Sequence, residues 1–134
     1  MRRNEASHNR EDDARLRRNQ HFTDSSTSRE AELSTRRRLG DSEESILTVQ
    51  GNLAVTYVVI GRHEEALNLY RDVYSGELKL YGAEHSETLT SAVNYATSLV
   101  DLQRVKEAKS LLRRTVPALR RVLGESHNKT LRTR

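Results

Sequence analysis

The sequence has no cysteine, no tryptophan, one phenylalanine and one proline, and only 34% of its 134 residues are hydrophobic. The absence of cysteine excludes disulfide frameworks, thiolate metal sites and a cysteine nucleophile, and it is typical of a reducing compartment. The chain also lacks an apolar run long enough for a secretory signal or a membrane span. We therefore expect a cytoplasmic protein with no membrane association and no single large hydrophobic core.

Motifs of catalysis and cofactor binding are missing as well. The sequence contains no phosphate-binding glycine loop, no nucleophile elbow and no paired-histidine metal motif. We expect no enzymatic activity, no catalytic residue, no metal and no cofactor. Basic residues cluster at Arg36, Arg37 and Arg38, but elsewhere they are dispersed and aromatic residues are scarce, which argues against nucleic acid as the partner.

An internal repeat of 42 residues is present. A bulky residue followed by glycine recurs at positions 39, 81 and 123, and a leucine recurs at 47, 89 and 131. Aligning residues 39–80 with 81–122 gives eleven identical pairs. The sequence therefore predicts two complete units, 39–80 and 81–122, and a truncated third unit, 123–134.

Within each unit, apolar residues recur at the three- and four-residue spacing of amphipathic helices. The pattern predicts helices near 43–60, 63–80, 86–102 and 105–122. Asp41 or Ser42 is expected to cap the first of these and Ser86 the third. Glycines are expected to end the second helix of each unit, including one at Gly124. His85 and His127 recur at the unit boundary, where a capping or loop-shaping role is expected.

The helix positions resemble the tetratricopeptide repeat. The residues that carry the resemblance are Gln50, Leu53, Ala54, Tyr57, Ala66 and Tyr70 in the first unit and Ala92, Tyr95, Ala96, Leu99, Ala108 and Leu112 in the second. The longer period, with a histidine loop and Thr88-Leu89 before the next helix, resembles the kinesin light chain subtype. The resemblance implies an all-α fold, an α-solenoid of helix-turn-helix repeats over residues 39–134.

Residues 1–38 form a basic amino-terminal segment outside this resemblance. Residues 1–29 have only Leu16 and Phe22 as sizeable apolar groups, so we expect them to be disordered or weakly helical and dispensable for the fold. We interpret residues 30–39 as the end of an earlier second helix that leads into Gly40.

In tetratricopeptide proteins the first helix of each unit lines a concave groove that binds peptides. The residues that the resemblance places there are Thr48, Asn52, Val55, Val59, Thr90, Asn94, Thr97 and Asp101. Asn52 and Asn94 share one repeat position, and an amide both donates and accepts hydrogen bonds. They either hold the backbone of an extended peptide or bond the neighbouring helix; the sequence leaves both interpretations open.

The sequence thus favours a protein-protein interaction scaffold or adaptor that binds protein or peptide segments. One alternative is a basic, partly disordered protein associated with nucleic acid; another is a repeat fragment of a larger multidomain protein. Since the third unit stops early, we also expect Leu89, Tyr95, Leu99, Leu111 and Leu112 to be only partly covered, with self-association through this uncapped carboxyl-terminal repeat.

Overall fold

The computed structural model describes the backbone of residues 2–132 and the side chains of residues 10–18, 20, 21 and 23–125. Over this part of the chain the elements are five helices, and each packs against the next along the chain. They are α1 (Arg2–Arg38), α2 (Glu43–Val59), α3 (His63–Tyr81), α4 (Ser86–Asp101) and α5 (Val105–Arg132). This all-helical arrangement confirms the predicted α-solenoid.

The 42-residue period of the sequence is also the period of the helices. α2 and α4 are the first helices of the two units, and α3 and α5 are the second helices. α3 begins at His63 and α5 begins at Val105, which occupy the same repeat position. All four predicted helices begin where the pattern placed them, and α2, α3 and α4 end within one residue of their predicted ends.

Two hydrophobic clusters hold the helices together. The first joins α1, α2 and α3 through Leu33, Val49, Leu53, Ala54, Tyr57, Ala66 and Tyr70. The second joins α3, α4 and α5 through Leu67, Ala92, Ala96, Leu99, Ala108 and Leu111. Alanines at the points of closest packing are fully or almost fully buried, as the repeat pattern predicts. Gly76 serves the same purpose, since a Cβ atom there would lie 2.6 Å from Cδ2 of Leu47 on α2.

One turn joins the two helices of each unit, and the turns of the two units are equivalent. In the first, Gly61 has a φ of 82°, and the N–H of Arg62 donates to the carbonyl of Tyr57 at 2.8 Å. In the second, Gln103 has a φ of 61°, and the N–H of Arg104 donates to the carbonyl of Leu99 at 2.8 Å. The left-handed conformation is favourable for glycine but costs about 1–3 kcal/mol for other residues, so the second turn is strained.

Gln103→Gly should therefore raise the free energy of unfolding by roughly 1 kcal/mol, after allowance for the greater freedom of glycine in the unfolded chain. The matched reverse change, Gly61→Gln, should lower the free energy of unfolding by a similar amount, because it places a side chain on a left-handed backbone. No steric contact adds to this cost, since nothing near Gly61 would contact an added Cβ atom. Urea unfolding of both variants checks this prediction. A stabilised Gly61→Gln or a destabilised Gln103→Gly would show that backbone conformation does not control these turns.

The caps of the first helices are partly as predicted. Ser42 caps α2, accepting a hydrogen bond from the N–H of Ser45 at 3.2 Å. The cap of α4 is His85 rather than the predicted Ser86: its Nδ1 accepts from the N–H of Glu87 at 3.1 Å, and its ring stacks on Tyr81 with centroids 4.4 Å apart. The expected capping role of His85 is thus confirmed, while the side chain of His127 lies outside the described residues.

The amino-terminal segment has α1, so residues 30–38 are helical as expected for the end of an earlier second helix. That residues 1–29 are disordered or weakly helical stays a prediction. The carboxyl-terminal half of α1 packs on α2 as a second helix packs on the next first helix, and Leu33 is buried. Polar contacts compensate for the few apolar residues. The hydroxyl of Tyr57 donates to Glu30 at 2.6 Å, the hydroxyl of Ser26 donates to the same carboxylate at 3.1 Å, and Arg62 lies over the Tyr57 ring at 4.4 Å.

This polar contact changes the pKa of both partners. The hydrogen bond from Tyr57 is the largest cause that holds the pKa of Glu30 below its ordinary value. Burial, followed by the bond to Glu30, raises the pKa of Tyr57 to about 12. Both shifts favour the pairing of a neutral phenol with a carboxylate, which attaches α1 to the repeat region at neutral pH. Whether residues 1–29 are dispensable for folding stays a prediction.

The carboxyl-terminal helix is longer than predicted. Gly124 does not end the second helix, because α5 continues through it to Arg132. That residues 123–134 begin a third unit stays a prediction. The expected partial exposure is wrong for Leu89, Leu99 and Leu111, whose exposed fractions are 4%, 1% and 2%. Tyr95 and Leu112 are partly buried, as expected. The packing of α4 against α5 already covers the three leucines.

Candidate peptide-binding surface

The residues expected to line a groove all lie on the exposed sides of α2 and α4. We call this surface the first-helix face; it consists of Thr48, Asn52, Val55, Val59, Thr90, Asn94, Thr97 and Asp101. All eight are exposed, and Val55 and Val59 leave about half of their area uncovered, 52% and 50%. Exposed valines at adjacent turns of one helix are available for contact with another molecule.

The first-helix face differs from the rest of the surface in charge. Residues 45–60 of α2 and its end, and residues 88–100 of α4, contain no Asp, Glu, Lys or Arg, although 31% of the whole chain is charged. The exposed sides of α3, and of α5 as far as Glu125, carry charged residues along their length. Asp101, at the end of α4, is the one charged residue of the first-helix face. The lack of charge elsewhere on the face lowers the cost of removing water from it when another chain covers it.

The threonines on this face use their hydroxyl protons within their own helices. Thr48 donates to the carbonyl of Glu44 at 3.0 Å, Thr90 to that of Ser86 at 2.9 Å and Thr97 to that of Val93 at 2.9 Å. Their oxygen atoms remain able to accept a hydrogen bond. The threonines are therefore acceptors rather than donors for a ligand.

The two asparagines have no such partner. Among the described side chains, neither Asn52 nor Asn94 forms a side-chain hydrogen bond, and both are exposed. The carbonyl that accepts from Thr56 at 3.1 Å is the main-chain carbonyl of Asn52, not its amide. Of the two interpretations of these amides, a bond to the neighbouring helix is therefore not seen, and their donors and acceptors are available.

Two pockets adjoin the first-helix face. The apolar pocket, of about 350 Å³, lies between α4 and the end of α5 and is lined by Ser86, Leu89, Thr90, Val93, Asn94, Leu119, Val122 and Leu123. The polar pocket, of about 460 Å³, lies between α2, α3 and α4 and is lined by Glu44, Leu47, Thr48, Glu77, Tyr81, His85 and Glu87. The structure thus brings Thr90 and Asn94 together in one pocket and Thr48 into the other. The remaining five residues of the face lie outside both pockets.

Glu77 is the one buried acid among the described side chains. It is 8% exposed, its carboxylate accepts a hydrogen bond from Ser91, and its main-chain carbonyl accepts from Thr88 at 3.2 Å. Burial raises the pKa of Glu77, although the bond from Ser91 acts in the opposite direction. These contacts fix the end of α3 against the start of α4, so Glu77 has a structural role at the unit boundary.

Several lining residues were not among the predicted site residues. Leu119, Val122 and Leu123 were missed because the first helices alone were expected to line the groove, whereas the end of α5 also contributes. A third groove, of about 560 Å³, lies between α1 and α3 above Leu53 and Tyr57. Its α1 side is formed by residues 30–37, and it was not predicted because only the first helices were expected to line a groove.

No group of three or more potential metal ligands is found among the described residues. Within the same part of the chain, no helix is both long and apolar enough to cross a membrane.

Comparison with known proteins agrees with this geometry. The sequence profile of the tetratricopeptide repeat matches residues 45–121, more than half of the chain. The chain therefore belongs to the tetratricopeptide repeat family. Members of this family generally act as non-catalytic scaffolds for protein-protein interaction.

A solved structure has a similar fold. BtubC (BKLC) from P. vanneervenii superposes with a TM-score of 0.65 at 18% sequence identity, over 78% of this chain and 41% of that one. The chain thus spans less than half the length of this structural neighbour. A search of curated proteins finds no significant match.

Proposed function

We propose that this chain is a non-enzymatic scaffold or adaptor whose first-helix face binds an extended segment of another protein. The observation that carries the proposal is the pair of exposed, unbonded amides at one repeat position, Asn52 and Asn94, within the uncharged stretches 45–59 of α2 and 88–100 of α4. The family membership supports the general role, and the two amides supply a binding mode.

The physical basis is the hydrogen-bonding pattern of an extended chain. Each residue of such a chain presents one N–H donor and one carbonyl acceptor, and an asparagine amide can satisfy both. The two amides would bind the backbone of any peptide, so selectivity for a peptide sequence depends on the contacts made by the peptide's side chains. Val55 and Val59 provide apolar contacts beside the first amide, and the apolar pocket provides them beside the second.

The finer assignment is to the kinesin light chain type of repeat in the cytoplasm. It is supported by the 42-residue period, by the histidine at the unit boundary and by Thr88-Leu89 in the following helix. The cap formed by His85 gives that histidine a reason to recur in such repeats.

The first test replaces the two amides. Asn52→Ala and Asn94→Ala should each weaken the binding of peptides selected on the chain from a random display library by roughly two- to tenfold, since each removes a hydrogen bond of about 0.5–1.5 kcal/mol. Helical content and melting temperature should be unchanged, because both side chains are exposed. Fluorescence anisotropy and circular dichroism measure the two properties.

Asn68→Ala provides the matched control, because Asn68 is an exposed asparagine on α3, outside the first-helix face. It should leave peptide affinity unaltered. If Asn52→Ala and Asn94→Ala lower stability but the folded fraction keeps its affinity, the amides have a structural role and the proposed binding mode is wrong.

The alternative of nucleic-acid binding would use the arginine cluster before Gly40, and one of its three arginines is engaged in contacts within the chain. The Arg36 guanidinium donates to Glu32 at 3.0 Å, to Asp41 at 3.0 Å and to Ser45 at 2.7 Å. These contacts join the end of α1 to the start of α2. Arg36 therefore has a structural role at this turn and is not free to bind phosphate.

A further inference from the structure

The apolar pocket and the polar pocket are the same groove in two successive units. Each lies between the start of the unit's first helix and the end of its second helix. Five lining positions correspond under the 42-residue shift: Glu44 with Ser86, Leu47 with Leu89, Thr48 with Thr90, Glu77 with Leu119 and Tyr81 with Leu123. The repeat therefore conserves the groove within this chain while its chemistry changes from acidic to apolar.

The apolar pocket is suited to an aliphatic side chain. Leu119, Val122 and Leu123 form one wall, and Leu123 leaves 66% of its area exposed. Val93, on the opposite wall, is 41% exposed. A concave site of this size, with apolar walls and one amide at its edge, can enclose a bulky side chain while Asn94 bonds the adjoining backbone.

The lining of the polar pocket determines which charge a ligand group can carry beside it. Glu44, Glu77 and Glu87 line it together with His85, and no lysine or arginine is among its lining residues. An acidic side chain placed there would be repelled, whereas a lysine or arginine would be attracted. Charge complementarity therefore favours a basic ligand on this side.

The two pockets lie on either side of the first turn of α4. Ser86 lines the apolar pocket, and its neighbours in sequence, His85 and Glu87, line the polar pocket. A helix with its side chains is about 10–12 Å across, and an extended chain advances about 3.3 Å per residue. A peptide crossing this turn would reach from one pocket to the other in about three residues.

We propose that the apolar pocket binds a bulky aliphatic side chain of an extended peptide that carries a lysine or arginine about three positions away, beside the polar pocket. The inference rests on the proposed function and names the class of segment that the first-helix face selects. Such a ligand places each of its two side chains in an environment of matching chemistry, with Asn94 at the edge of the apolar pocket.

A second copy of the chain fits this site less well. To continue the array beyond α5, it would have to supply a first helix, but α2 and α4 are each already packed between two other helices. In addition, Leu67 of α3 packs in the cluster with α4, and its equivalent on α5 is the exposed Lys109. The outer side of α5 is thus not a copy of the α3 surface that binds the next unit.

The test uses a labelled, terminally blocked peptide with leucine and arginine three positions apart in a serine-glycine background. Replacing its leucine by alanine should weaken binding about tenfold, and Leu123→Ser should do the same. The two changes together should weaken binding little further, because they remove the same contact. The matched control is Leu39→Ser, the equivalent position after α1, which is 73% exposed and should have no effect.

A second pair of measurements tests the charge. Replacing the peptide's arginine by glutamate should weaken binding, and Glu44→Gln should reduce that discrimination. Full affinity of Leu123→Ser, together with weaker binding by Asn94→Ala, would overturn the pocket assignment and leave the proposed function standing. If the wild-type chain binds library peptides but not the leucine-arginine peptide, the inference also fails. A dimer in sedimentation that Leu123→Ser dissociates would show a second copy as the occupant and overturn it as well.

Discussion

Leu67→Ala should lower the free energy of unfolding by about 2–5 kcal/mol, the usual cost of truncating a buried leucine. Leu67 is 2% exposed and packs with Ala92, Ala96 and Leu99, so it joins the second helix of one unit to the first helix of the next. Folded domains of this size are stable by only about 5–15 kcal/mol. The loss should be evident in urea unfolding followed by circular dichroism.

The 42-residue period supplies the control for this experiment. Lys109 occupies the position of Leu67 in the following unit and is exposed on α5. Lys109→Ala should change the free energy of unfolding by less than about 0.5 kcal/mol. Equal effects of Leu67→Ala and Lys109→Ala would mean that α3 does not pack on α4 as described.

The second large effect is expected from overpacking the alanines between paired helices. Ala66 is completely buried between α2 and α3, and Ala108 is 1% exposed between α4 and α5. Leucine at either position has to displace neighbouring side chains, at a cost of about 1–3 kcal/mol. Both variants should melt at a lower temperature than the wild type.

Ala31→Leu is the control for both, because Ala31 is an exposed alanine within α1 and leucine forms helices almost as well as alanine. Its melting temperature should match that of the wild type. Unchanged melting of Ala66→Leu and Ala108→Leu would show that the assigned helix faces are wrong.

The success of the sequence in predicting α2 to α5 has a physical reason. Each helix has an apolar stripe that is buried by its neighbours along the chain, so short-range periodicity determines both the helix and its buried face. Turn chemistry is less regular. Gly61 identifies the first turn in the sequence. Gln103 takes the same backbone conformation in the second turn, although glutamine is not a residue type that favours turns.

The two ends of the chain were harder to predict for different reasons. The contact of α1 with α2 depends on Leu33 and on polar groups such as Glu30, which hydropathy does not reveal. At the other end, Leu123-Gly124 repeats the dipeptide that precedes a turn elsewhere, yet the backbone continues as helix. Glycine is tolerated within a helix at a cost of about 1 kcal/mol, so the dipeptide does not by itself impose a turn.

The candidate surface was predictable in part. Asn52 and Asn94 are 42 residues apart, which is the repeat period, and this identifies them from the sequence. Any residue at that repeat position of a first helix lies on the same face. The pockets beside them depend on how α5 extends past the repeat boundary and on where α3 meets α4. Those are properties of packing between helices, and sequence periodicity carries no signal for them.

The central claim is that another protein segment binds along the exposed sides of α2 and α4. The most direct measurement is a chemical-shift map of the isotopically labelled chain, titrated with a peptide selected on it from a random library. We predict that the largest changes lie at Asn52, Thr90 and Asn94 and at their neighbours on the first-helix face. Changes confined to the groove between α1 and α3, around Asn68 and Leu69, would contradict the claim.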